Sequence, residues 1–391
     1  MTVTDNSLRA LRRRLIVRDS LVFVSLASIT IVLFLITLFL FRSFSAHRIE
    51  LAQRWFARGE KDLAANRPLQ AVSDLRTALS YDPSETNYQL MLAQALSDAG
   101  NTSEAYAYFT NLWEAQPGSG PLNLQLARLT AKMRKPREAV QYYRAAVYGT
   151  WEGDGSVRRR EVRLELIRYL MDQKDFATAQ TELLIAAGNA SDDPGLELEL
   201  ASLMAGSGDY NSALPLYQNV IKASPSNGSA FEGAGVAAFQ LARYPDARRY
   251  LEVAQRFLSE GDRGGLTTNA ASLLQQSQRI LELNPSPSLP DRERVKRILA
   301  ARSLAQQRLN WCHLQLAAAG DSPAELTELD NLWNSPDAKT LPARLRGDSE
   351  LQQQTMQSVY HTEIVTNNAC GAPSGDDALL LLLAKATGNN Q

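Results

Sequence analysis

The chain has 391 residues with 41 basic and 42 acidic side chains, a formal net charge of −1, and 45% hydrophobic residues. This composition belongs to a folded protein long enough for several domains or one extended repeat array, and the overall charge balance gives no argument for nucleic-acid binding. Two cysteines with no CxxC pair and three scattered histidines, His47, His313 and His361, exclude the common zinc arrangements.

Residues 1–20 form a basic segment, with Arg9, Arg12, Arg13, Arg14 and Arg18 gathered ahead of the most apolar stretch of the chain. Residues 21–41 then carry no charge over 21 positions, bounded by Asp19 and Arg42. At 1.5 Å per residue such a helix is about 32 Å long, the thickness of a bilayer's hydrocarbon core, and the segment is expected to be transmembrane. A cleaved signal peptide would have an apolar core of only about 7–15 residues, and Ser43-Phe44-Ser45 ahead of Ala46 is a poor cleavage site. An uncleaved signal anchor is therefore the reading. The arginine bias puts the N-terminus in the cytoplasm and residues from about 42 onward on the outer side, periplasmic if the cell is bacterial. No later uncharged run reaches 18 residues, Leu379 to Leu383 being too short, so a single pass is expected.

A period of 34 follows: Ala71, Ala105 and Ala139 are spaced by 34, as are Ala179, Ala213 and Ala247, and the two sets are offset by 40. The six extra residues fit the segment Trp151-Glu152-Gly153-Asp154-Gly155-Ser156. Four positions after each alanine stands a large apolar residue (Leu75, Phe109, Tyr143, Leu183, Tyr217, Leu251), and seven after it a small or aliphatic one (Ala78, Leu112, Ala146, Ala186, Val220, Ala254). That spacing places all three on one helix face, the alanine admitting a neighbouring helix and the large residue filling the space beside it. Pro83, Pro117 and Pro225 fall where each such helix must stop.

On these residues the chain resembles the tetratricopeptide repeat family. The first unit shows Trp55, Gly59, Ala71, Leu75, Ala78 and Pro83; the others match through pairs such as Leu92-Ala93, Leu126-Ala127, Leu200-Ala201 and Ala234-Gly235, with Leu166 alone in the fourth. The departures are Arg58, Trp151 in place of a proline, and Ser191. The resemblance implies an all-α fold: a right-handed superhelical solenoid of helix-turn-helix repeats, here with an N-terminal transmembrane helix and a helical C-terminal region. The six units are expected at about 52–85, 86–119, 120–153, 160–193, 194–227 and 228–261, and residues 262–284 fit a degenerate seventh. One hairpin cannot bury its apolar face alone, so stability should come from stacking of neighbours.

The resemblance also implies a concave wall, lined by the first helix of each unit, in which a protein or peptide partner lies. By alignment of the alanine register, that wall contains Asn87, Leu90, Gln94, Asp98, Leu124, Arg128, Lys132, Leu164, Arg168 and Asp172. Arg128, Lys132 and Arg168 would bring positive charge to its middle, suiting an acidic ligand, although the Lys and Asn set by which some family members clamp a terminal carboxylate is not reproduced.

After Leu258 the register is lost. A turn is expected at 260–265, a helix over about 266–283, and a stiff connection through Pro285, Pro287 and Pro290. A long helix should run from Asp291 to about Ala319 and end at Gly320, with shorter ones around 323–334, 339–359 and 376–386. Residues 291–391 read as an elaborate cap, or alternatively as a separate interaction region.

No phosphate-cradling glycine loop, GxSxG elbow or dinucleotide fingerprint occurs. Trp311-Cys312-His313 reads as a packed Trp-Cys pair rather than a catalytic thiol, Asp376-Asp377 as the acidic first turn of a helix, and Arg158-Arg159-Arg160 as a solvated face. Cys312 and Cys370 are either two unpaired thiols, the simpler reading, or a disulfide if they face an oxidising compartment. No enzyme, cofactor, metal, nucleic acid or small-molecule substrate is expected. The leading expectation is a membrane-tethered scaffold or adaptor for assembly of an envelope complex. The alternatives are a structural subunit of a stable envelope machine and an enzyme with its site in the C-terminal third.

Overall fold

A computed structural model describes residues 3–190, 193–259, 264–319, 323–334, 341 and 343–388. Among these the chain is all-α, with 17 helices and no strand. Ser191, the turn residues 260–263 and Gly320 lie outside the described residues, as do 339 and 340 at the start of one expected helix. The chain divides into two compact units, Met1–Leu166 and Ile167–Gln391.

In the first unit, α1 spans Val3–Ala64, 62 residues without a break. The apolar segment and the first helix of the first repeat are thus one helix. Residues 42–64 contain no proline, and their one glycine, Gly59, sits under Leu75 instead of terminating the helix. The side chains of residues 21–41 are exposed apart from a partly covered Ala27, and the helix is long and apolar enough to cross a membrane. Then follow α2 (Pro68–Tyr81), α3 (Thr86–Asp98), α4 (Thr102–Ala115), α5 (Gly120–Lys132) and α6 (Pro136–Tyr148), while α7 (Gly155–Asp172) crosses the boundary between the units. Ala71, Ala105 and Ala139 are fully buried, as are Leu75, Leu92, Leu96, Phe109 and Leu126 around them. Small and large residues interlock where helices cross: a Cβ added to Gly59 would stand 2.6 Å from Leu75 Cγ.

The residue before the six-residue insertion is held at the start of α5: Thr150 N donates to Gly118 O and Gly120 N to Thr150 O, both at 2.9 Å. Trp151 stands where a proline was expected because its ring lies over Gly120, where a Cβ would come within 2.3 Å of it, and its Nε1 donates to Ala146 O at 2.9 Å.

In the second unit α8 (Phe176–Ala187), α9 (Pro194–Gly206), α10 (Tyr210–Ala223), α11 (Gly228–Gln240) and α12 (Tyr244–Ser259) continue the repeat, with Ala179, Ala213, Ala247, Leu183 and Leu251 fully buried. Gly235 meets Leu251 as Gly59 meets Leu75, a Cβ there standing 2.5 Å from Leu251 Cγ.

One turn recurs in every repeat. Asn66, Gly100, Arg134, Lys174, Gly208 and Ala242 all have φ between 55° and 84°, and each is followed by a residue whose N–H returns to a carbonyl five residues back, as in Asn101 N to Leu96 O (2.8 Å) and Arg243 N to Ala238 O (2.8 Å). This is the left-handed helix stop for which glycine is the unstrained residue. Only two of the six positions have it, so Arg134, Lys174 and Ala242 hold a backbone conformation that L side chains disfavour.

Beyond the repeats come α13 (Thr268–Leu283), α14 (Asp291–Ala319), α15 (Ala324–Trp333), α16 (Ser349–Cys370) and α17 (Gly375–Gly388). The expected helix at 339–359 is displaced to 349–370. Gly347 at φ 74° precedes it, Asp348 caps it by accepting from Leu351 N at 2.9 Å, and only Gly371 at φ 83° ends it. The apolar core runs unbroken from the last repeat into these helices: Phe239, Tyr244 and Leu251 belong to one buried cluster with Ile280, Ile298, Leu309, Val359 and Leu380. Cys312 of α14 and Cys370 of α16 are joined in a disulfide with 5.7 Å between their Cα atoms, so the simpler expectation of two free thiols is replaced by a bridge that clamps these helices.

Candidate protein-interaction surface

The ten residues expected to line the inner wall all sit on first helices of repeats. Asn87, Leu90, Gln94 and Asp98 lie on α3, Leu124, Arg128 and Lys132 on α5, and Leu164, Arg168 and Asp172 on α7. None is buried: Asn87, Asp98, Arg128, Lys132, Arg168 and Asp172 are exposed, and Leu90, Gln94, Leu124 and Leu164 are half-buried. Each helix turns its other residues inward, for example Leu92, Ala93 and Leu96 on α3 and Leu126, Ala127 and Leu129 on α5. A single helical period thus supplies both core and surface.

The charges do not stand as expected. In the first unit, Arg128 makes a two-pronged bond to Glu165 at 2.8 and 2.7 Å, and Tyr143 Oη donates to the same carboxylate at 2.9 Å. Hydrogen bonding to Glu165 raises the Arg128 pKa further and keeps the guanidinium charged. In the second unit Arg168 is paired with Glu199. An acidic ligand would have to displace a carboxylate already in place at both arginines, so the expected free positive charge is absent there. Lys132 remains exposed, and Gln94 Nε2 donates to Asp98 Oδ1 along α3 at 3.0 Å.

Glu165, Tyr143 and Glu199 were not singled out from sequence, yet a signal for the carboxylates exists. Arg168 follows Arg128 by 40 residues and Glu199 follows Glu165 by 34, the two spacings of the repeat itself. The same ion pair is therefore written twice, each time joining the first helices of successive repeats.

The residues that looked reactive in sequence are separated. Cys312 is buried in the disulfide, His313 Nε2 approaches Asp330 Oδ2 at 2.9 Å, and Trp311 is 44% exposed with Arg308 lying 4.5 Å over its ring. Trp311 is thus not half of a packed Trp-Cys pair. Asp376 does more than open α17: Arg279 of α13 grips it at 2.9 and 2.6 Å and depresses its pKa through those hydrogen bonds. Arg158 pairs with Glu161 at 3.0 Å, as on a solvated face. Among the described residues no group of three or more His, Cys, Asp or Glu side chains could hold a metal ion. In the first unit an open cavity of about 760 Å³ lies at the insertion, lined by residues including Gln116, Ser119, Trp151 and Arg158.

The family profile described as tetratricopeptide repeat matches residues 56–119 and 198–262. These segments are tetratricopeptide repeats. Arrays of this kind are protein-interaction scaffolds, and the fold is generally non-catalytic. Solved tetratricopeptide structures overlay parts of the chain. YrrB, described as having an unusual peptide-binding site, is 16% identical over 52% of this chain and 97% of its own, with a TM-score of 0.38. The C-terminal part of a TPR protein from Cytophaga hutchinsonii is 14% identical over 62% and 92%, with a TM-score of 0.44. PilW, a type IV pilus biogenesis factor, is 16% identical over 55% and 96%, with a TM-score of 0.36. These likenesses are partial and carry no information about ligand. No curated protein matches the chain by sequence.

Proposed function

We propose that this protein is a membrane-tethered tetratricopeptide scaffold that holds protein partners during assembly of an envelope complex. The observation that carries the proposal is α1: an exposed apolar stretch long enough for a bilayer passes without a break into the first helix of the first repeat. A flexible linker would let an anchored array sample many orientations. A continuous helix couples the array to the membrane, so a partner held on the first helices is held at a set height above the bilayer.

The arginine-rich segment ahead of the apolar stretch supports an orientation with the N-terminus in the cytoplasm and the repeats outside. The Cys312–Cys370 disulfide supports the same side, because disulfides persist in oxidising compartments. On this reading partners bind the first-helix face of α3, α5 and α7, through contacts around Leu90, Leu124 and Leu164 more than through Arg128 and Arg168, whose charges are already engaged.

Site-specific photo-crosslinking in cells tests this. A photoreactive residue at Leu124 should trap a distinct protein, whereas one at Gln141, exposed on the second helix of the same repeat, should not. Equal trapping at both positions, or trapping only beyond residue 291, would remove the first-helix face as the working surface.

A further inference from the structure

The helices α14 and α16 lie side by side and run in the same direction, tied at both ends. At the start, Gln352 Nε2 donates to Asp291 Oδ1 at 2.7 Å and Gly347 N to Asp291 Oδ2 at 3.2 Å. At the end, the Cys312–Cys370 bridge joins them, and Arg308 Nη2 donates to Gly371 O at 2.6 Å. Between these ties the seam has a weak point. Glu363 precedes Cys370 by seven residues, two turns along the same face of α16. It is fully buried, and neither carboxylate oxygen is hydrogen-bonded. Thr366, on the turn between them, gives its hydroxyl to Thr362 O at 2.8 Å. The charges facing Glu363 are Arg308 from α14 and Asp377 from α17, and Arg308 Nε and Asp377 Oδ1 are themselves buried without hydrogen-bond partners. From α15 comes Trp333, whose Nε1 donates to Thr362 Oγ1 at 3.0 Å. Buried polar groups left unpaired favour any opening that lets water reach them. The bridge stands on the same seam and opposes that opening. Its two sulfurs differ in access: Cys312 is fully buried, whereas Cys370 is half-buried at the last turn of α16.

We propose that the Cys312–Cys370 bridge is a reducible lock: a dithiol reductant attacks it at Cys370, and the freed seam then opens at Glu363. The thiolate of the reductant bonds to Cys370 Sγ as the S–S bond breaks, and the electron pair leaves on Cys312, which takes up a proton. The reductant's second thiol then displaces Cys370. The products are two cysteine thiols, carrying the reductant's two protons, and one oxidised dithiol. Opening carries α16 away from α14 and uncovers part of the apolar side that holds Ile298, Ala301, Ala305 and Leu309, all buried while the lock is closed. The oxidised and reduced chains thus present different C-terminal surfaces, and the lock does not depend on the membrane tether.

The test reads maleimide labelling of the full-length chain at neutral pH. After reduction with dithiothreitol, Cys370 should label first and Cys312 later, because Cys312 reacts only from the open seam. Cys370→Ser isolates the Cys312 thiol, and Cys312→Ser isolates Cys370 as the accessible control. Adding Glu363→Gln to Cys370→Ser should slow labelling of Cys312 by roughly thirtyfold or more, since a neutral amide no longer gains a charge on opening. Hydrogen exchange of the α9 and α11 amides in the same samples should not change on reduction. Cys312 that stays unlabelled in the reduced chain while Cys370 labels overturns the proposal. So do equal Cys312 rates with Glu363 and with Gln at that position, which would remove Glu363 as the cause of opening. Exchange that rises in α9 and α11 as much as in α16 also overturns it, because the chain would then be unfolding as a whole.

Discussion

Replacing Glu363 by Gln should stabilise the C-terminal helices, and the gain should grow with pH. Glu363 is fully buried on α16, and neither carboxylate oxygen has a hydrogen-bond partner. Burial is the main cause that drives its pKa from 4.5 up to about 8; the neighbouring Asp377 adds to the rise and Arg308 partly opposes it. The raised folded-state value sets the sign. Below the unfolded pKa both states hold the proton and nothing is lost, whereas between 4.5 and about 8 the unfolded chain ionises first, so stability falls as pH rises. At about 1.36 kcal/mol per unit, the penalty at pH 7 is roughly 3 kcal/mol, and it levels off only above the folded pKa. Glu363→Gln keeps the shape and neutrality of the protonated acid and removes the penalty. Hydrogen exchange of the α16 amides, corrected for intrinsic rate, measures the local opening free energy at pH 5, 7 and 8.5. The Glu363→Gln variant should match the parent near pH 5 and exceed it by a few kcal/mol at pH 8.5. A difference that stays constant with pH, or a variant less stable at high pH, would refute the reasoning.

Other outcomes follow from local geometry. Reducing the Cys312–Cys370 bridge, which spans a sequence separation of 58, should destabilise the C-terminal helices by roughly 2–4 kcal/mol, the usual range for freeing a loop of that size; urea unfolding with and without reductant measures it. Lys174→Gly and Ala242→Gly, at φ 59° and 57°, should each stabilise by roughly 0.5–1 kcal/mol because the helix stop no longer forces a side chain into the left-handed region. A lower melting temperature for either would contradict the strain. Gly59→Ala should cost about 1–3 kcal/mol, since Leu75 Cγ stands only 2.6 Å from the new Cβ; paired with Leu75→Ala the loss should be less than additive in a double-mutant cycle.

The repeat is legible because its signal is local. Ala71, Leu75 and Ala78 share a helix face wherever the helix goes, and the 34-residue period makes that face recur. The apolar run at 21–41 is legible for the same reason. The first-helix residues are exposed or half-buried where the register puts them, and the repeat spacings of Arg128 to Arg168 and of Glu165 to Glu199 leave a trace of the ion pairs. That Glu165 meets Arg128 from 37 residues away, however, is decided by the stacking of repeats. The sequence permits the continuity of α1, since residues 42–58 contain no proline or glycine to stop a helix, but does not require it, because nothing there obliges the apolar segment and the first repeat to share one helix. The bounds of α16 depend on Gly347 and Gly371, two glycines that a pattern of apolar residues does not weigh. Whether Cys312 meets Cys370, and whether Glu363 faces water or an apolar core, depends on how α14, α16 and α17 pack against one another. Sequence determined the periodic elements, because covalent spacing along a helix sets which side chains share a face. Tertiary structure decided the pairings and burials, because those depend on distances between residues far apart in the chain.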